Sequence, residues 1–211
     1  SPRFRCPSDR LPSGVPVLLP FLGLIAAGVW RFAPPSAGWA ASGLTLLASV
    51  ILGWRFPRAA RASLPALAVL AALLTASRLL PGDVVWQCTV HCQGGGHYQT
   101  LLGLSVLWPA LFGYAIFAGL CLRDRHAERL STATAALGWL LLGASLYYLL
   151  LSIRLAIVCP HCLAVHTVVL ACTGGLLHHL RPVPALSALL LSVLTLHAAF
   201  HPGVVADTVD V

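Results

Sequence analysis

The sequence predicts an all-α integral membrane protein, and three observations carry that prediction. Of its 211 residues, 58% are hydrophobic and only 9% are charged, too few to give a soluble domain its polar surface. Apolar stretches of about 18 residues, the length that crosses a bilayer as a helix, fill most of the chain. The polar residues gather in short connections between those stretches, and the formal charge of +7 rests on arginine alone, since there is no lysine. On a membrane protein such a basic surplus reports topology; no nucleic-acid partner is expected. No methionine occurs, not even at position 1, so a processed or trimmed chain is expected.

Seven spans are expected, in order. Residues 1–13 are polar, with Arg3, Arg5 and Arg10, and lead into a first span at about 15–32. A basic start before an apolar run is also the pattern of a signal peptide. No small-x-small cleavage site follows directly, and a retained helix is expected. A Pro-rich turn at 31–38 precedes a second span at about 39–54, and an arginine-rich link (WRFPRAARAS) precedes a third at about 63–80. Residues 81–99 form the one long polar connection, made pliable by Gly94, Gly95 and Gly96. The fourth span, about 100–121, contains Pro109, expected to kink it, with Gly113 four residues on. The fifth covers about 131–157, the sixth about 159–180 and the last about 183–200, before a short acidic tail. This divides the chain into extra N-terminal helices (1–62), a four-helix core (63–180), and a last helix with its tail (181–211).

Arginine orients these spans. With the N-terminus in the cytoplasm, Arg3, Arg5, Arg10, Arg55, Arg58, Arg61, Arg123, Arg125, Arg129 and Arg181 fall inside. Only Arg31, Arg78 and Arg154 fall outside, a clear positive-inside asymmetry. Both closely spaced cysteine pairs, Cys88/Cys92 and Cys159/Cys162, then face the outer, oxidising side where disulfides persist. Cys6 and Cys121 face inward, and Cys172 lies within the bilayer. These three are expected to be inert small hydrophobes.

The chemistry concentrates in Cys159-Pro160-His161-Cys162, followed by His166. A C-x-x-C opening a helix sets its sulfurs at the positive end of the dipole, an arrangement that favours thiolate. Pro160 suits the first helical turn, where no N–H is needed, and His161 is expected to add a cation. Positions 159, 162 and 166 share one helical face, so a ligand against Cys162 would lie beside His166. A dithiol reducing a lipid-soluble quinone needs a thiolate at the ring, a proton source such as imidazole, and an apolar pocket between helices. This stretch is expected to offer all three. Cys88 and Cys92 can resupply electrons by thiol–disulfide exchange.

In the order of these parts over residues 63–180, the chain resembles the vitamin K epoxide reductase family of membrane thiol oxidoreductases. A helix leads to a loop with two cysteines, two more helices follow, and the next opens with C-x-x-C. The resemblance implies a four-helix bundle around a quinone of the menaquinone, ubiquinone or vitamin K type. It implies that Cys162 is the quinone-facing sulfur and that Cys88 and Cys92 are the loop relay. It places His166 at the polar ring position four residues after the second cysteine. Pro109 and Gly113 match loosely a Pro/Gly element of the second core helix, implied to border the cofactor. It also implies a thioredoxin-fold (DsbA-like) partner in trans, the generation of disulfides, and a bacterial cell membrane; the arginine–alanine–leucine bias agrees with that origin. The loop pair departs from the pattern in being separated by only three residues.

Other readings stand beside this one. Reduction of vitamin K epoxide is the alternative reaction. The four cysteines with His91 and His97 have the residue types of a zinc or copper site, making a metal-binding membrane protein the alternative of another class. Disulfides that only brace the outer loops are a third. Arg78 and Arg154 are expected to be snorkelling anchors.

Overall fold

The structure is a computed structural model and describes residues 15–79, 100–101, 104–127, 129–154, 159–177 and 182–207. Helices α1 (Val15–Phe32), α2 (Pro35–Arg55) and α3 (Pro57–Ser77) come first. A two-residue antiparallel pair, β1 (Thr100–Leu101) and β2 (Leu104–Ser105), precedes α4 (Leu107–Arg123). A 3-10 turn (Asp124–His126) leads to α5 (Thr132–Arg154), α6 (Pro160–Ala171), α7 (Thr173–Leu177) and α8 (Pro182–Asp207). Four helical stretches are long and apolar enough to cross a membrane: α2, α3, α5 and the combined segment Pro160–Leu177. Val17–Phe32, Leu107–Arg123 and Ala185–Ala198 are apolar but shorter.

Three boundaries differ from the sequence expectation. The arginine-rich link is not a loop: only Phe56 separates α2 from α3. Pro57 takes the first helical position, where its fixed φ suits the helix, and Ala59, Ala60 and Ala62 continue it. The fourth helix starts at Leu107, because Thr100–Leu101 pairs with Leu104–Ser105 and the Ser105 hydroxyl accepts the Leu107 N–H at 3.4 Å. Pro109 therefore stands in the first turn of α4 and kinks nothing. The sixth helix is interrupted at Cys172, where the Ser49 hydroxyl donates to the Ala171 carbonyl (2.6 Å) and accepts the Gly174 N–H (2.8 Å). A side chain inserted into the helical ladder breaks it there. Gly174 permits the approach, since a Cβ at that position would collide with the Ser49 backbone carbonyl.

Helices α3, α4, α5 and α6 close a ring in which each packs on the next and α6 returns to α3. Outside it, α1 and α2 pack on α6 and α7, and α8 packs on α5. The α6–α7 segment is the central element: 78% of it is buried, against 28% of α2, 44% of α3 and 39% of α5. A knot of polar groups ties α1 and α2 to it. The Trp30 indole N–H donates to Ser42 (3.0 Å) and to Thr167 (3.1 Å), whose hydroxyls lie 2.6 Å apart. Interhelical hydrogen bonds of this kind hold helices together where lipid supplies no hydrophobic driving force between them. Outward positions are apolar and exposed, among them Phe21, Leu47, Ile116 and Leu194, as a lipid-facing belt requires.

The start of α3 and the α4–α5 connection line one cavity together, which marks one of the two ends of the bundle. The opposite end carries the start of α6 with Cys159 and the ends of α3 and α5 with Arg78 and Arg154. The cavity end carries Arg55, Arg58 and Arg61 at the α2–α3 junction and Arg123, Arg125 and Arg129 between α4 and α5. At this arginine end buried Asp124 organises the α4–α5 connection. Its carboxylate accepts the Ser131 N–H (2.7 Å), the Thr134 hydroxyl (2.6 Å) and the Arg123 Nε–H (3.2 Å). Burial works to raise this carboxyl, but the hydrogen bonds from Thr134, Ser131 and Arg123 outweigh it and hold the group well below the usual carboxylate range.

Candidate functional site

Cys159 caps the N-terminus of α6. Its backbone is extended (φ −100°, ψ 100°), its sulfur accepts the Cys162 N–H at 3.4 Å, and Pro160 follows in the first turn. The two sulfurs lie 2.8 Å apart and are not joined by a disulfide. Small side-chain rotations are enough to bring them to bonding distance. His161, expected to add a cation beside the pair, is buried at 2% exposure.

From residue 161 to 171, only Cys162 and His166 escape full burial. They sit four residues apart, one above the other on a single face. That face meets polar groups from the two neighbouring helices of the ring. His166 Nδ1 lies 3.2 Å from the Ser145 hydroxyl of α5. Its ring stacks on Tyr148, centroids 5.7 Å apart and planes within 8°. Tyr114 of α4, fully inside the bundle, reaches the same Ser145 hydroxyl, and both tyrosines come within electrostatic range of Cys162. Three helices thus converge on one constellation: Cys159, Cys162 and His166 from α6, Ser145 and Tyr148 from α5, and Tyr114 from α4.

Tyr114, Ser145 and Tyr148 are absent from the sequence-derived candidates. Their signal was polarity inside predicted spans, where polar side chains face a bundle interior. Gly113 precedes Tyr114 and sets the α4–α5 approach, since a Cβ there would stand 3.0 Å from Leu141. Pro109 is exposed on the first turn of α4 and joins no contact with the constellation among the described residues. Cys121 and Cys172 are buried. Cys88, Cys92, His91 and His97 lie outside the described residues. Among the described residues no group of three or more His, Cys, Asp or Glu side chains converges as a metal-ligand set.

The arrangement permits definite chemistry. A capped, half-buried dithiol can lose two electrons by closing a disulfide. Imidazole and hydroxyls beside the inner sulfur can donate hydrogen bonds or a proton to an oxygen held there. Tyrosine and histidine faces can pack a flat ring. Comparison with protein-family models, curated proteins and solved structures finds no match to this chain.

Proposed function

We propose that the chain is a membrane thiol–disulfide oxidoreductase that passes electrons from an extracytoplasmic thioredoxin-fold partner, through two cysteine pairs, to a quinone. One observation carries the reading: Cys162 and His166 are the only half-buried positions along residues 161–171, and they face Ser145, Tyr148 and Tyr114. The uneven distribution of arginine supports a cytoplasmic N-terminus and an outer cysteine end, in a bacterial cell membrane. The chain leaves α3 and enters α4 at the cysteine end. In this reading the connection bearing Cys88 and Cys92, between α3 and α4, lies at the same end as Cys159.

In this reading the partner's dithiol reduces the Cys88–Cys92 disulfide and leaves oxidised. A loop thiolate then attacks the Cys159 sulfur of a Cys159–Cys162 disulfide, forming a mixed disulfide and releasing the Cys162 thiolate. The second loop cysteine displaces Cys159, which restores the loop disulfide and leaves Cys159 and Cys162 reduced. When that pair closes again, two electrons and two protons leave it. A quinone, when bound, supplies the two-electron, two-proton acceptor. The donor set fits one: His166 and the Tyr114 hydroxyl would hold carbonyl oxygens, and Tyr148 would pack the ring. Cys162 is the sulfur that meets the acceptor, while His166 holds or delivers a proton and Ser145 orients its ring through Nδ1. Lipid-facing helices keep bulk water from the pair.

The test is an anaerobic single turnover in lipid nanodiscs with a reduced thioredoxin-fold protein and menaquinone or ubiquinone analogues, followed by quinone absorbance. The wild type is expected to consume one quinone per disulfide formed. Cys162→Ser, which cannot form the Cys159–Cys162 disulfide, is expected to consume none. Quinone consumption that survives Cys162→Ser would end this assignment.

A further inference from the structure

At the opposite end of the bundle a cavity of about 650 Å³ opens between α3 and the α4–α5 connection. Arg58 and Arg61 enter it from α3, and Arg125 and Arg129 from the connection, so four guanidiniums from two elements surround one space. On α3 the lining positions 58, 61, 62 and 65 follow the i, i+3, i+4, i+7 pattern of a single face. The wall is therefore one continuous stripe, with arginine toward the helix start and Pro65 toward the helix middle.

The charged residues lining this space are four arginines and one aspartate, Asp124. Asp124 lines the cavity, but its oxygens already accept bonds from Ser131, Thr134 and Arg123. By sequence, residues 121–130 add only one further carboxylate, Glu128, so arginine outnumbers carboxylate in this part of the chain. Guanidinium forks at several angles match the oxygens of a phosphate group. The remaining lining is apolar: Ala62, Pro65 and Leu130 border the cavity beside the lipid-facing surface of the bundle. A ligand that pairs a phosphate with an apolar body fits both parts. An added quaternary ammonium would be repelled by the surplus of positive charge.

We propose that this cavity binds the phosphate of an anionic phospholipid, with Arg58, Arg61, Arg125 and Arg129 on the headgroup and Pro65 and Leu130 beside its glycerol. Basic pockets between membrane helices are suited to such headgroups. The inference stands independently of the redox reading, since none of its residues belongs to the cysteine end.

The full-length protein in neutral detergent is titrated with phosphatidylglycerol, phosphatidylcholine and inorganic phosphate, following the thermal unfolding midpoint and lipid retention by native mass spectrometry. Phosphatidylglycerol is expected to raise the midpoint and remain bound, and phosphatidylcholine to do neither. Arg58→Gln with Arg61→Gln is expected to weaken phosphatidylglycerol retention roughly tenfold or more. Should that variant fail to fold, Arg125→Gln with Arg129→Gln tests the other wall. Arg78→Gln with Arg154→Gln, at the cysteine end, is expected to retain the lipid as the wild type does. Equal retention of both lipids, or equal loss in the cysteine-end control, would overturn the site. A midpoint rise with inorganic phosphate as large as with phosphatidylglycerol would overturn the lipid and leave a soluble phosphate as the ligand.

Discussion

At the cysteine end, α6 turns two half-buried side chains, Cys162 and His166, toward hydroxyls contributed by α4 and α5. At the arginine end, polar groups carry full charge, yet the bonds to Asp124 come from one stretch of chain: Arg123, Ser131 and Thr134. The same four ring helices supply both ends. The difference is that one end assembles its polar groups across helices, where moving a single helix disperses them. The other gathers the partners of Asp124 along the chain, where the α4–α5 connection itself holds them. A site that must orient a reacting ring calls for the first arrangement, and an anchor at a membrane surface calls for the second.

Replacing the inner sulfur is the strongest way to break this contrast. Cys162→Ser should remove all quinone-linked thiol oxidation and leave the thermal midpoint within the small change usual for a near-isosteric substitution. A large loss of stability with residual turnover would mean that the cysteine end is structural.

The next effect falls on the joint that places α6 against the rest. Gly174→Ala drives a Cβ into the Ser49 carbonyl, backbone that cannot rotate away, and should cost about 3 kcal/mol. Gly119→Ala, where nothing stands within 4 Å, should stay within about 0.5 kcal/mol. Equilibrium unfolding in mixed micelles measures both. Equal effects would show that the bend at Cys172 does not depend on the close passage of α2.

A smaller loss is expected at the arginine end. Asp124→Asn keeps the shape but removes the charge that three donors serve, and should cost about 1–3 kcal/mol at pH 7. The sign with pH follows from the lowered carboxyl in the folded state. The contribution is present above the ordinary carboxylate value near 4 and is lost as pH falls toward the folded one. The gap between wild type and variant should therefore narrow in acid. A thermal midpoint difference that is constant from pH 7 to pH 3 would remove Asp124 from that role.

Much of this contrast was legible in residue order. Apolar length set the helices, arginine spacing separated the two ends, and C-P-H-C marked the mouth of α6, because each depends on local chemistry alone. The arginine-rich link between the second and third spans is shorter than expected, because Pro57 followed by alanines continues as helix there. The bend at Cys172 was invisible for a different reason: it is made by Ser49, 122 residues from the Ala171 carbonyl it bonds. Tyr114, Ser145 and Tyr148 were hidden in the same way. Each is an ordinary residue of an apolar span until packing turns it toward Cys162 and His166.

The finest distinction concerns Ser145, which touches His166 and neither of the two sulfurs among the contacts described. Ser145→Ala removes one partner of the Nδ1 contact and should lower the maximal rate by about 1 kcal/mol, roughly fivefold. Substrate half-saturation should change little, because imidazole and the Tyr148 face remain. Ser145→Thr retains a hydroxyl and should recover most of the rate, which a mere packing defect would not allow. Alkylation of Cys159 and Cys162 by a soluble maleimide should be unchanged in both variants, since the serine acts one helical turn inside the mouth. If alanine and threonine prove equally slow, the hydroxyl does not orient His166, and the cysteine end would owe its function to the dithiol and the imidazole alone.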